Sequence, residues 1–135
     1  METFTLDKAI KVFYVTAKSF PDGILEAHQK LHALIPPSKE RKYFGISSPG
    51  KDGVIVYKAA AEEMTRGEAE KYGCEAFVIK KGEYVSETVK DFMNDFQSVG
   101  TTFKKLLAEP QIDPQGYCLE WYLNEKDVRC MVGLQ

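Results

Sequence analysis

The sequence contains no run of about 18 apolar residues, the length that a membrane-crossing helix needs. Hydrophobic residues make up 44% of the 135-residue chain, but polar and charged residues interrupt them throughout. We therefore expect a soluble protein with no membrane partner. The amino-terminal segment carries acidic residues where a secretory signal has basic ones, which favours a cytoplasmic location.

Cysteine and histidine are scarce. The three cysteines are an odd number and form no CxxC pair, which argues against a disulfide framework and a zinc site. His28 and His32 stand one helical turn apart, but Gln29 occupies the position of the zinc-protease glutamate and the chain has no third histidine. No phosphate-binding glycine motif occurs either. We expect neither a metal nor another cofactor.

A concentrated basic face is also missing. Eighteen basic and twenty acidic residues give a formal net charge of -2, and the densest basic cluster, at residues 39–42, already contains Glu40. Nucleic-acid affinity depends on releasing counterions from many phosphates, which requires clustered lysine and arginine. We expect no nucleic-acid binding by this chain.

The first half of the chain predicts a strand, a helix and a hairpin. Residues 10–20 are rich in valine and aromatics, and a Pro-Asp-Gly turn ends them. Apolar positions at helical spacing predict a helix over residues 24–35, which a proline pair ends. Two extended runs, residues 42–47 and 54–60, are joined by a turn-forming segment and predict a hairpin.

The second half repeats this order. Residues 75–89 predict one bent strand, an apolar stripe over residues 92–107 predicts a long helix, and residues 117–134 predict a closing hairpin. The charged segment between the halves predicts a solvated connection. We therefore expect one α+β domain over residues 1–135, with an antiparallel sheet and two helices. Its tandem strand-helix-strand-strand repeats, about 10–64 and 74–135, are related by a pseudo-twofold axis.

The closing hairpin carries charge in the middle of an apolar sequence. A two-residue turn at residues 125–126 would pair Glu120 with Met131 and Tyr122 with Arg129. These four side chains would then share one face, while Trp121 and the other apolar residues would pack beneath a helix. The polar face meets either solvent, with Arg129 as a surface partner of Glu120, or a cavity.

Two short motifs resemble a known family. Gly82, Glu83 and Tyr84 open the second repeat, and Glu120 is followed two residues on by Tyr122. This combination is similar to the GyrI-like (DNA gyrase inhibitor-like) effector-binding domains of multidrug-responsive transcription regulators, over residues 10–134. The resemblance implies that a cleft between the repeats binds lipophilic, often cationic, aromatic compounds, with Glu120 as charged anchor and Tyr122 as a wall.

Further candidates and alternatives follow from this frame. Some free-standing members of the family hydrolyse cyclopropane-bearing alkylating compounds, which would make Glu120 a catalytic general base. A third possibility is an inhibitory module that binds a protein partner independently of Glu120. The remaining candidate ligand-binding residues, on the closing hairpin and on strands that face it, are Tyr84, Arg129, Met131, Phe13, Tyr43 and Tyr57.

Overall fold

The computed structural model describes residues 1–135 and contains one antiparallel sheet of eight strands. The strands are β1 (Glu2–Leu6), β2 (Ile10–Thr16), β3 (Tyr43–Pro49), β4 (Ile55–Glu62), β5 (Glu75–Ile79), β6 (Gly82–Val89), β7 (Cys118–Tyr122) and β8 (Val128–Gly133). The helices are α1 (Ile24–Leu34), α2 (Glu68–Lys71) and α3 (Phe96–Leu107), with a single 3-10 turn at Phe92–Asn94. This architecture confirms the predicted α+β class.

The sheet is strongly curled. Its order is β1-β6-β8-β7-β3-β4-β2-β5, so β1 and β2 lie six strand positions apart. In a flat sheet that separation would be about 29 Å, whereas the link from Leu6 to Ile10 spans at most about 15 Å. The two ends of the sheet must therefore approach each other. The short link between β5 and β6 imposes the same constraint.

Curling gives the sheet an inner and an outer face. The inner face holds a buried apolar cluster to which all eight strands contribute, including Phe44, Ile46 and Leu119 from the central strands. The long helices pack on the outer face: α1 lies on β2 and β4, and α3 lies on β6 and β8. None of the helices is long and apolar enough to cross a bilayer. The outer face of β3 and β7, between α1 and α3, is called the central furrow below.

One expectation about the strands is wrong, and one strand was not predicted. The predicted single strand over residues 75–89 is split, because β5 pairs with β2 while β6 pairs with β1 and β8. Gly82 begins β6 with a φ of 134°, a backbone conformation that side-chain-bearing residues rarely adopt. The strand β1 was not predicted at all, although Phe4 and Leu6 alternate with polar residues. The strand order is compatible with the predicted pseudo-twofold relation, which stays a prediction.

The register predicted for the closing hairpin is wrong by one residue. The structure pairs Glu120 with Cys130 and Tyr122 with Val128. The turn has three residues, not two, because the side chain of Asn124 accepts hydrogen bonds from the amides of Lys126 (2.7 Å) and Asp127 (2.9 Å). When the pairing of two strands shifts by one residue, the side chains that shared a face of the sheet come to lie on opposite faces. Arg129 and Met131 therefore do not share a face with Glu120.

The charged connection between the halves is not simply solvated. It contains α2, where Glu68 forms two 3.0 Å hydrogen bonds with the guanidinium of Arg41. The two side chains are only 7% (Arg41) and 10% (Glu68) exposed. Glu68 also accepts hydrogen bonds from the amides of Met64 and Thr65. These contacts fasten α2 to the strand that begins just after Arg41.

Candidate functional site

Glu120 lies in the central furrow, on the outer face of β7. Directly opposite it on β3 is Gly45. A β-carbon at position 45 would lie 2.5 Å from Glu120 Oε1 and would overlap the hydroxyl of Tyr57. The absence of a side chain at Gly45 is therefore what allows a carboxylate and a phenol to meet over the middle of the sheet.

A hydrogen-bond network surrounds the carboxylate. The hydroxyls of Tyr57 and Tyr122 both donate to Glu120 Oε1, over 2.9 Å and 2.5 Å. The two hydroxyl oxygens are 3.0 Å apart, and His28 Nε2 lies 2.8 Å from that of Tyr57. Strands β4 and β7 supply the tyrosines and α1 supplies the histidine. We call Glu120, Tyr57, Tyr122 and His28 the furrow network.

No basic group balances the charge of this carboxylate. Glu120 takes part in none of the ion pairs of the chain. Burial raises the pKa of Glu120, while the hydrogen bonds from Tyr122 and Tyr57 oppose that rise. Burial and the nearby His32 lower the pKa of His28 to about 4, so His28 is neutral at pH 7.

Aromatic rings pack against the tyrosines of the furrow network on both sides. Phe20, in the turn before α1, stacks on Tyr57 with ring centroids 6.1 Å apart. Phe92, in the turn before α3, lies 5.6 Å from Tyr122 and 6.3 Å from Phe96. Phe20 is 43% and Phe96 62% exposed, so an apolar rim borders the carboxylate.

The structure brings some of the candidate residues together and separates others. Tyr57 and Tyr122 contact Glu120, and Tyr43 lies beside Tyr122 on the same face and packs on His32. Phe13 also faces outward, but it is fully buried under α1 and against Tyr72. The remaining three candidate residues lie on the inner face of the sheet, away from Glu120: Tyr84, Arg129 and Met131.

Sequence reasoning missed three residues of this region: His28, Phe20 and Phe92. His28 was weighed only as a metal ligand, yet it falls at helical spacing between Ile24 and Leu31, on the edge of the stripe that faces the sheet. That spacing was the available signal. Phe20 precedes α1, where no periodicity indicates direction. Phe92 was assigned to the apolar stripe of the second long helix, but α3 begins only at Phe96 and Phe92 lies in the 3-10 turn before it. No group of three metal-ligating side chains is placed to hold an ion.

A separate groove of about 640 Å³ lies between the end of α1, β2 and the segment after α2. Its polar side chains include Tyr14 and Glu75, which bind each other at 2.8 Å. None of the residues of the furrow network lines this groove.

Comparisons with known proteins identify the fold. No protein-family model matches the chain, and no curated protein matches it. An integron cassette protein from the mobile metagenome of Vibrio cholerae has a TM-score of 0.75 at 11% identity, over 99% of this chain and 95% of that one. A hydrolase from Listeria innocua has a TM-score of 0.63 at 14% identity, over 99% and 90%. SAV2435, bound to tetraphenylphosphonium, has a TM-score of 0.67 at 9% identity, over 99% and 93%.

Proposed function

We propose that this protein binds lipophilic organic cations in the central furrow, with Glu120 as the charged anchor. The observation that carries the proposal is a partly buried carboxylate that has tyrosine donors but no cationic partner. An ionised carboxylate removed from water is costly unless an opposite charge accompanies it. A bound cation supplies that charge. The attraction between the cation and this otherwise unpaired carboxylate therefore contributes to the affinity.

The two oxygens of Glu120 have different roles in this proposal. Oε1 receives both tyrosine hydroxyls. Oε2 accepts no hydrogen bond from the protein and is not among the fully buried unpaired polar atoms. A ligand therefore meets Glu120 through Oε2 and leaves the tyrosine contacts in place.

The aromatic rim accounts for a lipophilic ligand. Phe20, Phe92 and Phe96 border the furrow network and are not fully buried. Rings next to a cation contribute apolar contact and cation-π attraction, about 0.5 to 2 kcal/mol per favourable pair. Neither contribution depends on fixed hydrogen-bond geometry, so we expect broad specificity. Tetraphenylphosphonium, which a protein of the same fold binds, has this chemistry.

Calorimetric titration with tetraphenylphosphonium tests the proposal. We expect the wild type to bind it and to bind the uncharged triphenylphosphine oxide much more weakly. Glu120→Gln should lose most of the affinity for the cation, while Glu83→Gln, a charge-matched change at an exposed strand position, should keep it. Equal binding of the cation and the neutral compound by all three proteins would rule out a charged anchor.

A hydrolase is the second candidate function. The furrow network holds a carboxylate and two phenolic hydroxyls within hydrogen-bond distance of one another. Glu120 would take a proton from water as the water oxygen attacks the electrophilic carbon, and Tyr122 would protonate the departing atom. A fold neighbour is a hydrolase, which adds weight to this candidate.

Incubation with a cyclopropane-bearing alkylating compound in ¹⁸O water separates turnover from binding. Incorporation of one ¹⁸O into the ring-opened product, dependent on Glu120 and Tyr122, would support the hydrolase. Recovery of unchanged compound would leave binding as the function. The resemblance to the GyrI-like domains belongs to this proposal. The third alternative, an inhibitory module that binds a protein partner, stays a prediction, and Glu120→Gln should not affect that binding.

A further inference from the structure

His28 occupies a position in the furrow network that neither candidate function uses. Its Nε2 lies 2.8 Å from the hydroxyl oxygen of Tyr57 and 3.4 Å from that of Tyr122. Its ring meets both tyrosine rings edge-on, with centroids 5.7 Å and 5.3 Å away. One helical side chain thus contacts both groups that donate to Glu120.

If both tyrosine hydroxyls donate to Glu120, a count of hydrogens gives His28 a specific role. Each tyrosine hydroxyl has one hydrogen, and in the network both point to Glu120 Oε1. The oxygen of Tyr57 then faces His28 Nε2 with a lone pair. A hydrogen bond over 2.8 Å between these atoms requires the hydrogen to be on Nε2. The neutral imidazole is therefore the Nε2–H tautomer, with Nδ1 unprotonated.

We infer that His28 is a positioning residue: by donating its Nε2 hydrogen to Tyr57, it commits the hydroxyl hydrogens of both tyrosines to Glu120 and so favours the ionised carboxylate. This inference rests on the proposed function, in which Glu120 anchors the ligand as an anion. Hydrogen bonds in a chain polarise one another, so a tyrosine that accepts from His28 is a better donor to Glu120.

The other groups that face Glu120 do not supply a competing charge. Apart from Tyr57 and Tyr122, these groups are Cys118, two residues before Glu120 on β7, and Cys130, the partner of Glu120 on β8. Burial, followed by the charge of Glu120, raises the pKa of the Cys118 thiol to about 11 and that of Cys130 to about 12. His32 lies one turn from His28 on α1 and packs on Tyr43. The two thiols are therefore neutral at pH 7 and do not compete with Glu120 for the hydrogens of the tyrosines.

Nitrogen-15 NMR of the free wild-type protein tests the tautomer without any ligand. We expect His28 to show a protonated Nε2 and an unprotonated Nδ1 at pH 7. A proton on Nδ1 instead would overturn the inference, because Nε2 would then accept the hydroxyl hydrogen of Tyr57 and withdraw it from Glu120.

Carboxyl carbon-13 titrations test the consequence for Glu120. His28→Phe keeps an aromatic ring but removes the donor, and we expect the titration midpoint of Glu120 to move to higher pH. His28→Gln places an amide N–H near the same point and should restore the midpoint at least in part. An unchanged midpoint in the Phe variant would mean that His28 only packs. A midpoint at lower pH would mean that His28 disfavours the ionised carboxylate, and either result overturns the inference.

Titration with tetraphenylphosphonium over the same pH range separates this inference from the proposed function. If the cation binds, its affinity should fall with falling pH as Glu120 protonates, and this fall should begin at higher pH in His28→Phe. If the cation does not bind while the NMR results hold, the proposed ligand is wrong and the role of His28 stands. If it binds while His28 carries its proton on Nδ1, only the inference fails.

Discussion

Gly45 and Glu120 lie directly opposite each other at the centre of the sheet, and the missing side chain of the one makes room for the carboxylate of the other. Gly45→Ala would push a methyl group into Glu120 Oε1 and the Tyr57 hydroxyl. We expect a loss of about 1 to 3 kcal/mol in the free energy of unfolding, as for other overpacked sites, and loss of cation binding. Denaturant unfolding and calorimetry measure the two effects.

Gly100→Ala is the matched control for that change. Gly100 lies in α3, and a β-carbon there would meet no atom within 4 Å. Alanine is favoured over glycine inside a helix by about 1 kcal/mol, so this variant should be more stable than the wild type and bind normally. Equal destabilisation by both substitutions would contradict the steric role of position 45.

Glu120→Gln should stabilise the fold at pH 7 while it removes most of the affinity for the cation. Because burial raises the pKa of Glu120 above its ordinary value of 4.5, ionising it costs folding free energy at neutral pH. Glutamine removes that cost, so the melting temperature should rise at pH 7. The difference from wild type should disappear below about pH 4.5, where Glu120 is neutral in both folded and unfolded chains. A lower melting temperature at pH 7 would contradict this expectation.

Glu68→Gln should destabilise the protein by about 3 kcal/mol at pH 7, because it leaves the buried guanidinium of Arg41 without its charged partner. The hydrogen bonds from Arg41 lower the pKa of Glu68 to about 2, against an ordinary 4.5. The stability from this pair is therefore present above pH 4.5 and lost as the pH falls towards 2. Unfolding curves at several pH values check this. Glu26→Gln, in an exposed pair with Lys30, should have no measurable effect.

Arg129→Gln should leave the affinity for tetraphenylphosphonium unchanged. The guanidinium of Arg129 lies over the rings of Phe4 (4.4 Å) and Trp121 (5.3 Å), on the face of the sheet away from Glu120. Because Trp121 is the sole tryptophan, its fluorescence reports on that face alone. The substitution should change this emission and lower stability by about 1 kcal/mol. A large loss of cation affinity would show that the two faces are coupled.

Much of the fold could be predicted because its signals are local. The helix α1 ends before a proline pair, and β3 and β4 flank a glycine-rich turn, so pattern and turn chemistry agree. The split of β5 from β6 could not be predicted, since it depends on how far the whole sheet curls. Glu120, Tyr122 and Tyr57 were identified as candidates from the chain itself and from a family resemblance.

The faces of the closing hairpin were harder to predict, because they depend on a single residue in the turn. A loop of two residues and a loop of three give opposite arrangements of Arg129 and Met131 relative to Glu120. The choice rests on the side chain of Asn124, which binds two amides of the loop. Asparagine at that position is a turn signal in the sequence, but its hydrogen-bond partners are visible only in three dimensions.

The two edge strands, β1 and β5, each pair with a strand from the opposite half of the chain, and this affects how the chain folds. The first strand, β1, pairs with β6 of the second half, and β5 pairs with β2 of the first. Each half thus borrows its outermost strand from the other, and Phe4 meets Tyr84 across about 80 residues of chain. We expect slow, all-or-none folding without a stable half-size intermediate. Neither half produced alone would have a complete sheet, so the protein should tolerate a cut between its halves only while both pieces remain together.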